Sequence, residues 1–329
     1  MKKSILKTIF TTAIAISVST SALSADVISV GGILNFKSTD MKAETTGITD
    51  VSKIIVNLDA EVADGVTATG RTKIGSLDNG NTNVAIDQLY VTFDNFFDTL
   101  VGDLISGAEA LNFKTAIGKK AIRFGREGHL LATQTQFIDK SIVSRAITGD
   151  GYSTGEGIEF NGDLPTPAPV NINLAVLENS KATNVETGRP LVTFHVSSDL
   201  EFGDIGVALG ADTLYGSDSK NFVLGADLGL SYMDTYSFQI DYALFKQDEG
   251  DSSDSYYALT LGYDINDVYG LAVRYAGTML EVSDNDETLL SVLATKTVSE
   301  TLKLQLQYNK TDNDNDKDSI QAQLVFNLK

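Results

Sequence analysis

Few residues in this chain could carry out catalysis. It has two histidines, His129 and His195, and no cysteine, which excludes a thiol nucleophile, disulfides and thiolate-bound metal clusters. Thr193 and Ser197 lie two residues from His195, and residues two apart on a strand share one face. No third group that would orient the histidine can be named, and any polar strand face gives the same pattern. We therefore predict that the protein is not an enzyme, and that His129 is a titratable loop residue.

Metal and phosphate chemistry are also poorly supported. Aspartates alternate as at the start of a calcium loop at Asp312, Asp314, Asp316 and Asp318. An EF-hand loop needs Gly at its sixth position and Glu at its twelfth, where this chain has Lys317 and Gln323. None of the 28 glycines forms a Gly-x-Gly-x-x-Gly motif that follows a strand and opens a helix. We predict a solvated acidic loop, no metal site and no cofactor.

The elements that position these residues begin with an export signal. Residues 1–24 combine a basic start, an apolar stretch at residues 9–18 and small residues at Ala22 and Ser24, which is typical of a signal peptide. The stretch is too short for a spanning helix. Its removal leaves one predicted domain, residues 25–329, and lowers the formal net charge from -19 to -22 because it carries three lysines and no acid. This acidity excludes nucleic acid as a partner.

The remaining chain alternates with period two, which predicts β-strands. In seven segments between residues 170 and 275, 29 positions of one parity carry no charge, where roughly six charges would be expected by chance. The opposite parity is polar and rich in Gly. A water-soluble sandwich or small barrel would turn its apolar face inward, but this many long strands with a polar, Gly-rich second face predict a wide transmembrane antiparallel β-barrel that is apolar outside and polar inside. Sixteen candidate strands are found, the first at residues 26–37 and the last at 318–329.

Two stretches depart from this scheme. Residues 94–112 are too long for a short turn and have apolar residues at helical spacing, which favours a short helix over an extra hairpin and eighteen strands. In the fifth strand, Lys120 shares the parity of Ile122 and Phe124. A β-bulge near Gly118 would redirect it.

The segment from Phe113 to Arg126, with its Gly-Arg ending before a long connection at residues 125–154, resembles the general Gram-negative porins. The hairpin that begins at Gly157 is also similar to theirs. The resemblance implies a trimeric 16-stranded barrel in the outer membrane of a Gram-negative bacterium, with its third loop folded into the pore. The chain departs from the family in lacking a Pro-Glu-Phe-Gly-Gly loop tip and in ending with Lys329 instead of Phe.

Charged residues are placed so that they could line such a pore. We predict a basic wall that consists of Lys53, Arg71, Lys73, Arg123 and Arg126. We predict that acids of the third loop, Asp139, Asp150 and Glu156, face this wall, and that Asp227, Asp241, Arg274 and His195 also face the lumen. Opposed charges would create a transverse field that orients dipolar solutes. The alternative is that all these groups are simply solvated charges.

Glycines and tyrosines fall on opposite parities in the second half of the chain. Gly225, Gly229, Gly262 and Gly270 lie on the polar parity, where we predict that they leave room for water. Six tyrosines between residues 232 and 275 lie on the apolar parity near strand ends and are typical of an aromatic girdle. Only Phe245 and Tyr256 are placed to stack sugars inside the pore.

These observations favour a channel for passive diffusion of ions and small hydrophilic solutes, with a weak preference for cations that follows from the acidic charge. The expected partners are two further copies in a homotrimer, outer-membrane lipids, and lipopolysaccharide bridged to the acidic loops by divalent cations. Three alternatives stay open: a structural or adhesive barrel plugged by its loop, a sugar-selective channel, and a soluble β-protein.

Overall fold

The computed structural model describes residues 27–39, 47–50, 53–76, 82–94, 113–127, 136–148, 154–164, 166–178, 190–216, 222–246, 253–281, 286–312 and 318–328. The predicted signal peptide lies outside these residues. So does the stretch predicted as a helix or an extra hairpin, apart from its first residue. None of the helices among the described residues is long and apolar enough to cross a membrane.

Strands account for most of the described chain. Their bounds are β1 (Val27–Thr39), β2 (Gly47–Asp50), β3 (Lys53–Ala63), β4 (Val66–Ser76), β5 (Thr82–Phe93), β6 (Lys114–Ala121), β7 (Thr154–Leu164), β8 (Val170–Glu178), β9 (Leu191–Phe202), β10 (Ile205–Gly216), β11 (Phe222–Tyr232), β12 (Tyr236–Lys246), β13 (Ser253–Asp264), β14 (Tyr269–Met279), β15 (Thr288–Ser299), β16 (Leu302–Thr311) and β17 (Ser319–Leu328). A short helix, α1 (Ile142–Thr148), lies between β6 and β7.

From β3 onwards each strand pairs in antiparallel fashion with the next strand in the sequence, and β1 pairs with β17, from Val30 opposite Leu328 to Thr39 opposite Ser319. The sheet is therefore closed. β2 and β3 pair with the same edge of β1, one after the other, so they occupy a single position in the barrel. The predicted sixteen-stranded antiparallel barrel is confirmed.

The wall has an apolar outside and a polar inside. Large apolar side chains such as Leu259, Leu261 and Val273 are exposed on the outer face. Polar side chains such as Gln307 and Gln321 are buried on the inner face. This arrangement reverses that of a soluble barrel and matches a sheet whose outer surface contacts lipid.

The two ends of the barrel differ in how the strands are joined. At one end, here called the turn end, β11 and β12 are joined through Met233 and Asp234, which both have positive φ (52° and 51°). Positive φ at both central residues gives a turn whose twist matches the flanking strands. Gly203, with φ 63°, lies in the similarly short joint between β9 and β10. At the opposite end, the loop end, the connections are longer.

The bulge predicted near Gly118 is wrong, because β6 keeps a continuous register with both β5 and β7. Lys120 instead faces inward, where its ammonium group contacts the Glu159 carboxylate. The predicted place of Arg123 on the pore wall would put its neighbours Ile122 and Phe124 on the lipid side, but both are fully buried inside the barrel. Lys120, Ile122 and Phe124 therefore do lie on one face, as their shared parity indicates, and that face is the inner one.

The connection after β6 folds into the lumen. Its helix α1 contacts the inner faces of β12, β13 and β14. Ile142, Val143 and Ile147 of the helix join one apolar cluster with Phe124 and with wall residues that include Ala258. Small inward side chains on these strands provide the space that the helix occupies. This connection is the third loop, and its inward fold was also predicted.

Candidate functional site

The third loop begins where the chain leaves β6 and crosses the inner wall. The Gly125 amide donates a hydrogen bond to Asp212 Oδ2 at 3.1 Å, and His195 Nδ1 lies 2.7 Å from Asp212 Oδ1. Gly125 has φ 58°, a conformation that suits glycine. Phe124 lies over Gly225, where an added Cβ would be 2.6 Å from the ring. Asp212 therefore holds both the histidine and the start of the loop.

Asp212 is the orienting group for His195 that the sequence did not reveal. A hydrolase would also need a hydroxyl hydrogen-bonded to the other ring nitrogen, Nε2. Ser197 lines the same cavity as His195, but no hydrogen bond joins the two side chains in the part of the chain that the structure describes. The arrangement thus supports anchoring of the loop more directly than nucleophilic catalysis.

Arg126, the next residue of the loop, projects into the lumen over β11. Its Nε lies 3.8 Å from Asp227 Oδ1, and 34% of its side chain is exposed. The guanidinium lies against Gly229, where an added Cβ would collide with it. Gly225 and Gly229 therefore accept loop side chains, and the prediction that they leave room for water is wrong.

Further along, residues 136–139 are held against β16 and β17 by side-chain amides. Gln305 Nε2 donates to the Gln136 carbonyl at 2.9 Å, and the Ile138 amide donates to Gln307 Oε1 at 2.7 Å. The Asp139 carboxylate accepts hydrogen bonds from Asn309, at 2.9 Å, and from Gln321. This part of the loop is thus held by neutral amide side chains of the wall, which act as donors and, in Gln307, as an acceptor.

A buried arginine joins the loop to β14. Arg274 is only 1% exposed, and its NH2 donates to the Asp139 carbonyl at 2.6 Å. Its NH1 lies 3.4 Å from Glu127 Oε1, and its guanidinium carbon is 4.2 Å from the centre of the Phe137 ring. Glu127 Oε2 in turn accepts the Ser141 amide at 2.8 Å. One cation therefore fastens three separate points of the loop.

A cavity of about 720 Å³ lies between the start of the loop and the inner faces of β9 to β13, towards the turn end. Four carboxylates line it, those of Glu127, Asp199, Glu201 and Asp227, against the single guanidinium of Arg126. Ser231, Ser237, Gln239 and Thr260 add neutral polar groups. The carboxylates outnumber the basic groups, so the lining has an excess of negative charge. It can hold water and polar solutes.

The wall formed by β3 to β7 carries basic residues of its own. Arg71 Nε donates to Asn57 Oδ1 at 2.6 Å across β3 and β4. The Lys120 ammonium lies 4.7 Å from the centre of the Tyr90 ring. Lys53 and Lys73 occupy inward register positions, opposite Gly75 and Ile55 respectively, and their side chains lie outside the described part. Arg71, Lys53 and Lys73 thus share one face.

The other predicted pore residues are distributed differently from the expected opposed charges. Arg126 lies over β11, and Asp139 hydrogen-bonds to the wall instead of facing the basic residues. Glu156 is exposed on the outward parity of β7, opposite Lys119. Arg123 lies between Ile122 and Phe124, which are buried inside the barrel, and its own side chain is half-buried. Asp150 and His129 lie outside the described residues.

Asp241 and Phe245 show how the remaining inward residues are used. Asp241 is buried on β12 and accepts a hydrogen bond from Gln239 Nε2 at 2.8 Å. Phe245 packs edge-on against Tyr256 at 4.9 Å within the apolar cluster around α1, so the buried Phe245 ring is not presented to a solute. In the described ranges, no group of acidic and histidine side chains could hold a metal ion.

The sequence analysis missed several residues of this site. Glu127, Asp212, Gln305, Gln307 and Gln321 were not singled out, and all of them hold the loop. A signal was available for the glutamines, because Gln and Asn occupy alternate positions 305, 307 and 309 of one strand and 321 and 323 of the next. Such a row of amides on an inner face predicts a hydrogen-bonded neighbour.

Comparison with known proteins gives a consistent result. The family model described as Gram-negative porin matches residues 11–316. Among solved structures, a loop L8 deletion mutant of the Vibrio cholerae outer membrane protein OmpT has a TM-score of 0.59 at 12% identity and covers 92% of this chain and 99% of that chain. An anion-selective porin from Comamonas acidovorans has a TM-score of 0.58 at 13% identity, with the same coverage. Salmonella typhi OmpF in complex with daunomycin has a TM-score of 0.61 at 8% identity and covers 92% and 97%. Curated proteins give no sequence match.

Proposed function

This chain belongs to the Gram-negative porin family and is an outer-membrane protein, and from this premise we propose that it is a water-filled channel for passive diffusion of ions and small hydrophilic solutes. The observation that carries the proposal is the third loop, which lies inside the barrel and is fastened to the wall formed by β9 to β17. A barrel of sixteen strands is too wide to be filled by its own side chains. A loop held against one side narrows the lumen and leaves a polar passage beside it.

We further propose a weak preference for cations. Four carboxylates and one guanidinium line the cavity beside the loop, and the predicted mature chain has a formal net charge of -22. Fixed negative charge in a confined polar space raises the local concentration of cations. The basic residues Arg71, Lys53 and Lys73 on the opposite wall reduce this preference, so it is weak.

Recording of single channels in planar bilayers tests both proposals. Purified protein should give stepwise ohmic currents, and in a salt gradient the reversal potential should move towards the cation equilibrium potential. Arg71→Ala should move it further in the same direction, because this substitution removes a positive charge from the inner wall. Lys296→Ala removes an outward-facing lysine near Tyr269 and should leave the reversal potential unchanged.

Folded protein that inserts but passes no current would contradict the channel and favour a barrel plugged by its loop. The apolar cluster around α1 is the observation that favours this second candidate, because it closes one side of the lumen towards the loop end. A reversal potential on the anion side would contradict the preference for cations alone.

We also propose that residues 1–24 are a signal peptide for export. The exported chain is proposed to assemble as a homotrimer. One of the similar structures, OmpT of Vibrio cholerae, is described as a trimer form, which supports this assembly. Contact with outer-membrane lipids would involve the exposed apolar face. Binding of lipopolysaccharide through divalent cations would involve the acidic connections at the loop end. Cross-linking in intact membranes that yields only monomers would contradict the trimer.

A further inference from the structure

We infer that the cation preference of the channel is set at its turn end, by a ring of carboxylates that face the lumen. This turn-end ring consists of Glu61, Asp163, Asp199, Glu201 and Asp264. The inference rests on the proposed channel, because only ions that cross the lumen pass this ring. It names the residues that select the ions, and it predicts that the two ends of the channel respond differently to a multivalent cation.

The first step is the place of the ring along the barrel. Asp163 and Glu201 are the last residues but one of β7 and β9, and Asp264 is the last residue of β13. Glu61 lies two residues before the end of β3. These four strands all finish at the turn end and are spaced around the barrel. The carboxylates therefore surround one opening of the lumen.

The second step is the direction of the side chains. Asp199 and Glu201 line the cavity beside the loop, and their separation along β9 is about 7 Å. The other three carboxylates have the inward parity of their strands, which is set by Asn57 of β3, Glu159 of β7 and Thr260 of β13. All five residues are exposed. Ions that enter the lumen at this end therefore meet them.

The third step is that neighbouring groups do not neutralise the ring. None of the five carboxylates forms an ion pair with another described residue. Two lysines of the described chain face the lumen at this end. Lys114 Nζ is bound to Asp94 Oδ1 at 3.1 Å, and Lys303 is half-buried and attracted by Asp264. Five carboxylates against one further lysine leave the opening negative.

A buried carboxylate extends the negative charge inward from the ring. Asp227 lines the same cavity as the two carboxylates of β9 and is 9% exposed. Its Oδ2 has no hydrogen-bond partner among the described residues, and Arg126 Nε lies 3.8 Å from its Oδ1. The basic wall begins only beyond this level, with Arg71 two register positions nearer the loop end than Glu61. A cation from the turn end thus meets negative charge before it meets the basic wall.

The charges act within the range that salt allows. Rings of Asp and Glu side chains select cations in other channels by raising their local concentration. The screening length is about 10 Å at 0.1 M salt and about 3 Å at 1 M. The separation of about 7 Å between neighbouring carboxylates lies within the first length and beyond the second. The preference for cations should therefore be clear in dilute salt and largely lost in concentrated salt.

Reversal potentials of Asp199→Asn/Glu201→Gln in a potassium chloride gradient near 0.1 M test the inference. The ratio of cation to anion permeability should fall by about twofold or more, because two of the five ring charges are removed. Conductance at about 1 M should equal that of the wild type, because screening hides the charges and the pore keeps its size. Glu156→Gln/Glu178→Gln is the matched control. These two residues are exposed and paired on the outer face of β7 and β8, so the reversal potential should not change.

Lys303→Gln tests the ring in the opposite direction and keeps every carboxylate. Removal of this lysine should move the reversal potential further towards the cation equilibrium potential. If the double variant does not fold, the sign of this shift decides, and a shift of zero or towards anions contradicts the ring.

Block by hexaamminecobalt(III), a trivalent cation, locates the ring. For each inserted channel, block from one compartment should need several-fold less of this ion than block from the other, and Asp199→Asn/Glu201→Gln should reduce the difference. Equal block from both compartments, a wild-type reversal potential in the double variant, or an equal shift in the outer-face control would overturn the ring while the current still supports the channel. Absence of any current would overturn the channel, and the ring with it.

Discussion

Substitution of Arg274 by Met should release the third loop from the wall while the barrel stays intact. Arg274 makes one short hydrogen bond to the Asp139 carbonyl, a longer one to Glu127 and a contact with the face of Phe137, all at 1% exposure. Met fills a similar volume but donates nothing. Removal of one partner from a buried ion pair costs about 3–5 kcal/mol, because the remaining charge stays buried.

At about 1.4 kcal/mol for each tenfold change, this cost raises the population of undocked loop by roughly 100-fold to 4000-fold. Trypsin provides the assay, since Lys140 is buried and Arg145 lies in α1, so both cleavage sites are protected while the loop is docked. When opening is faster than cleavage, the cleavage rate follows the open population. Mass spectrometry of the fragments identifies cleavage after these two residues.

Lys296→Met is the matched control, because it removes an outward-facing cation on β15 whose ammonium group lies 5.6 Å from the centre of the Tyr269 ring, away from the loop. Its cleavage rate should equal that of the wild type. Heat modifiability on gels establishes that each variant is a folded barrel. If Arg274→Met is cleaved within twofold of the wild-type rate, the arginine does not fasten the loop and the reasoning is refuted.

Three further predictions concern packing, lipid contact and the rim of the barrel. Phe124→Ala removes a buried ring and should lower the free energy of unfolding by about 3–5 kcal/mol in urea titrations of vesicle-reconstituted protein; a loss below about 1 kcal/mol would contradict its role as an anchor. Leu259→Arg, at mid-strand on the outer face, should cost about 2–4 kcal/mol in the same titrations, and Leu271→Arg, near the turn end, about 0–1 kcal/mol; equal costs would contradict the predicted depth. Hydrogen bonds from Thr288 hold the pKa of Asp312 below its ordinary value. The protection factor of the Thr288 amide against hydrogen exchange should therefore be high at neutral pH, fall as the pH drops through that lowered pKa, and be lost in Asp312→Ala. A protection factor that does not change with pH would argue against this bond.

The wall of the barrel could be predicted from the sequence because lipid imposes a rule on every strand. A charge on the outer face is costly at any position along the middle of a strand, so the apolar parity repeats from β8 to β15. The strand bounds predicted from that parity lie within a few residues of those in the structure. Sixteen strands then follow from counting.

The contacts between the third loop and the inner wall could not be predicted in the same way. The alternation of residues along a strand shows which face a residue occupies, but it does not show which wall residues the loop contacts. The hydrogen bonds that hold the loop to the wall join residues 87 to 182 positions apart, such as Gly125 with Asp212 and Gln321 with Asp139. Ile122 and Phe124 are apolar for a different reason from Leu259, since they pack against a helix inside the lumen. Parity alone does not distinguish apolar contact with lipid from apolar contact with a loop.

The closing ladder between β1 and β17 has a consequence for the order of assembly. It joins residues almost three hundred positions apart, so it is the pairing with the greatest loss of chain entropy and forms late. β16 and β17 also supply Gln305, Gln307 and Gln321, to which residues 136–139 are bound. Residues 136–139 therefore lack these hydrogen-bonding partners until β16 and β17 have joined the barrel. Nascent barrels should pass through a wide, unconstricted stage, and the lumen is narrowed only when the circle of strands is complete.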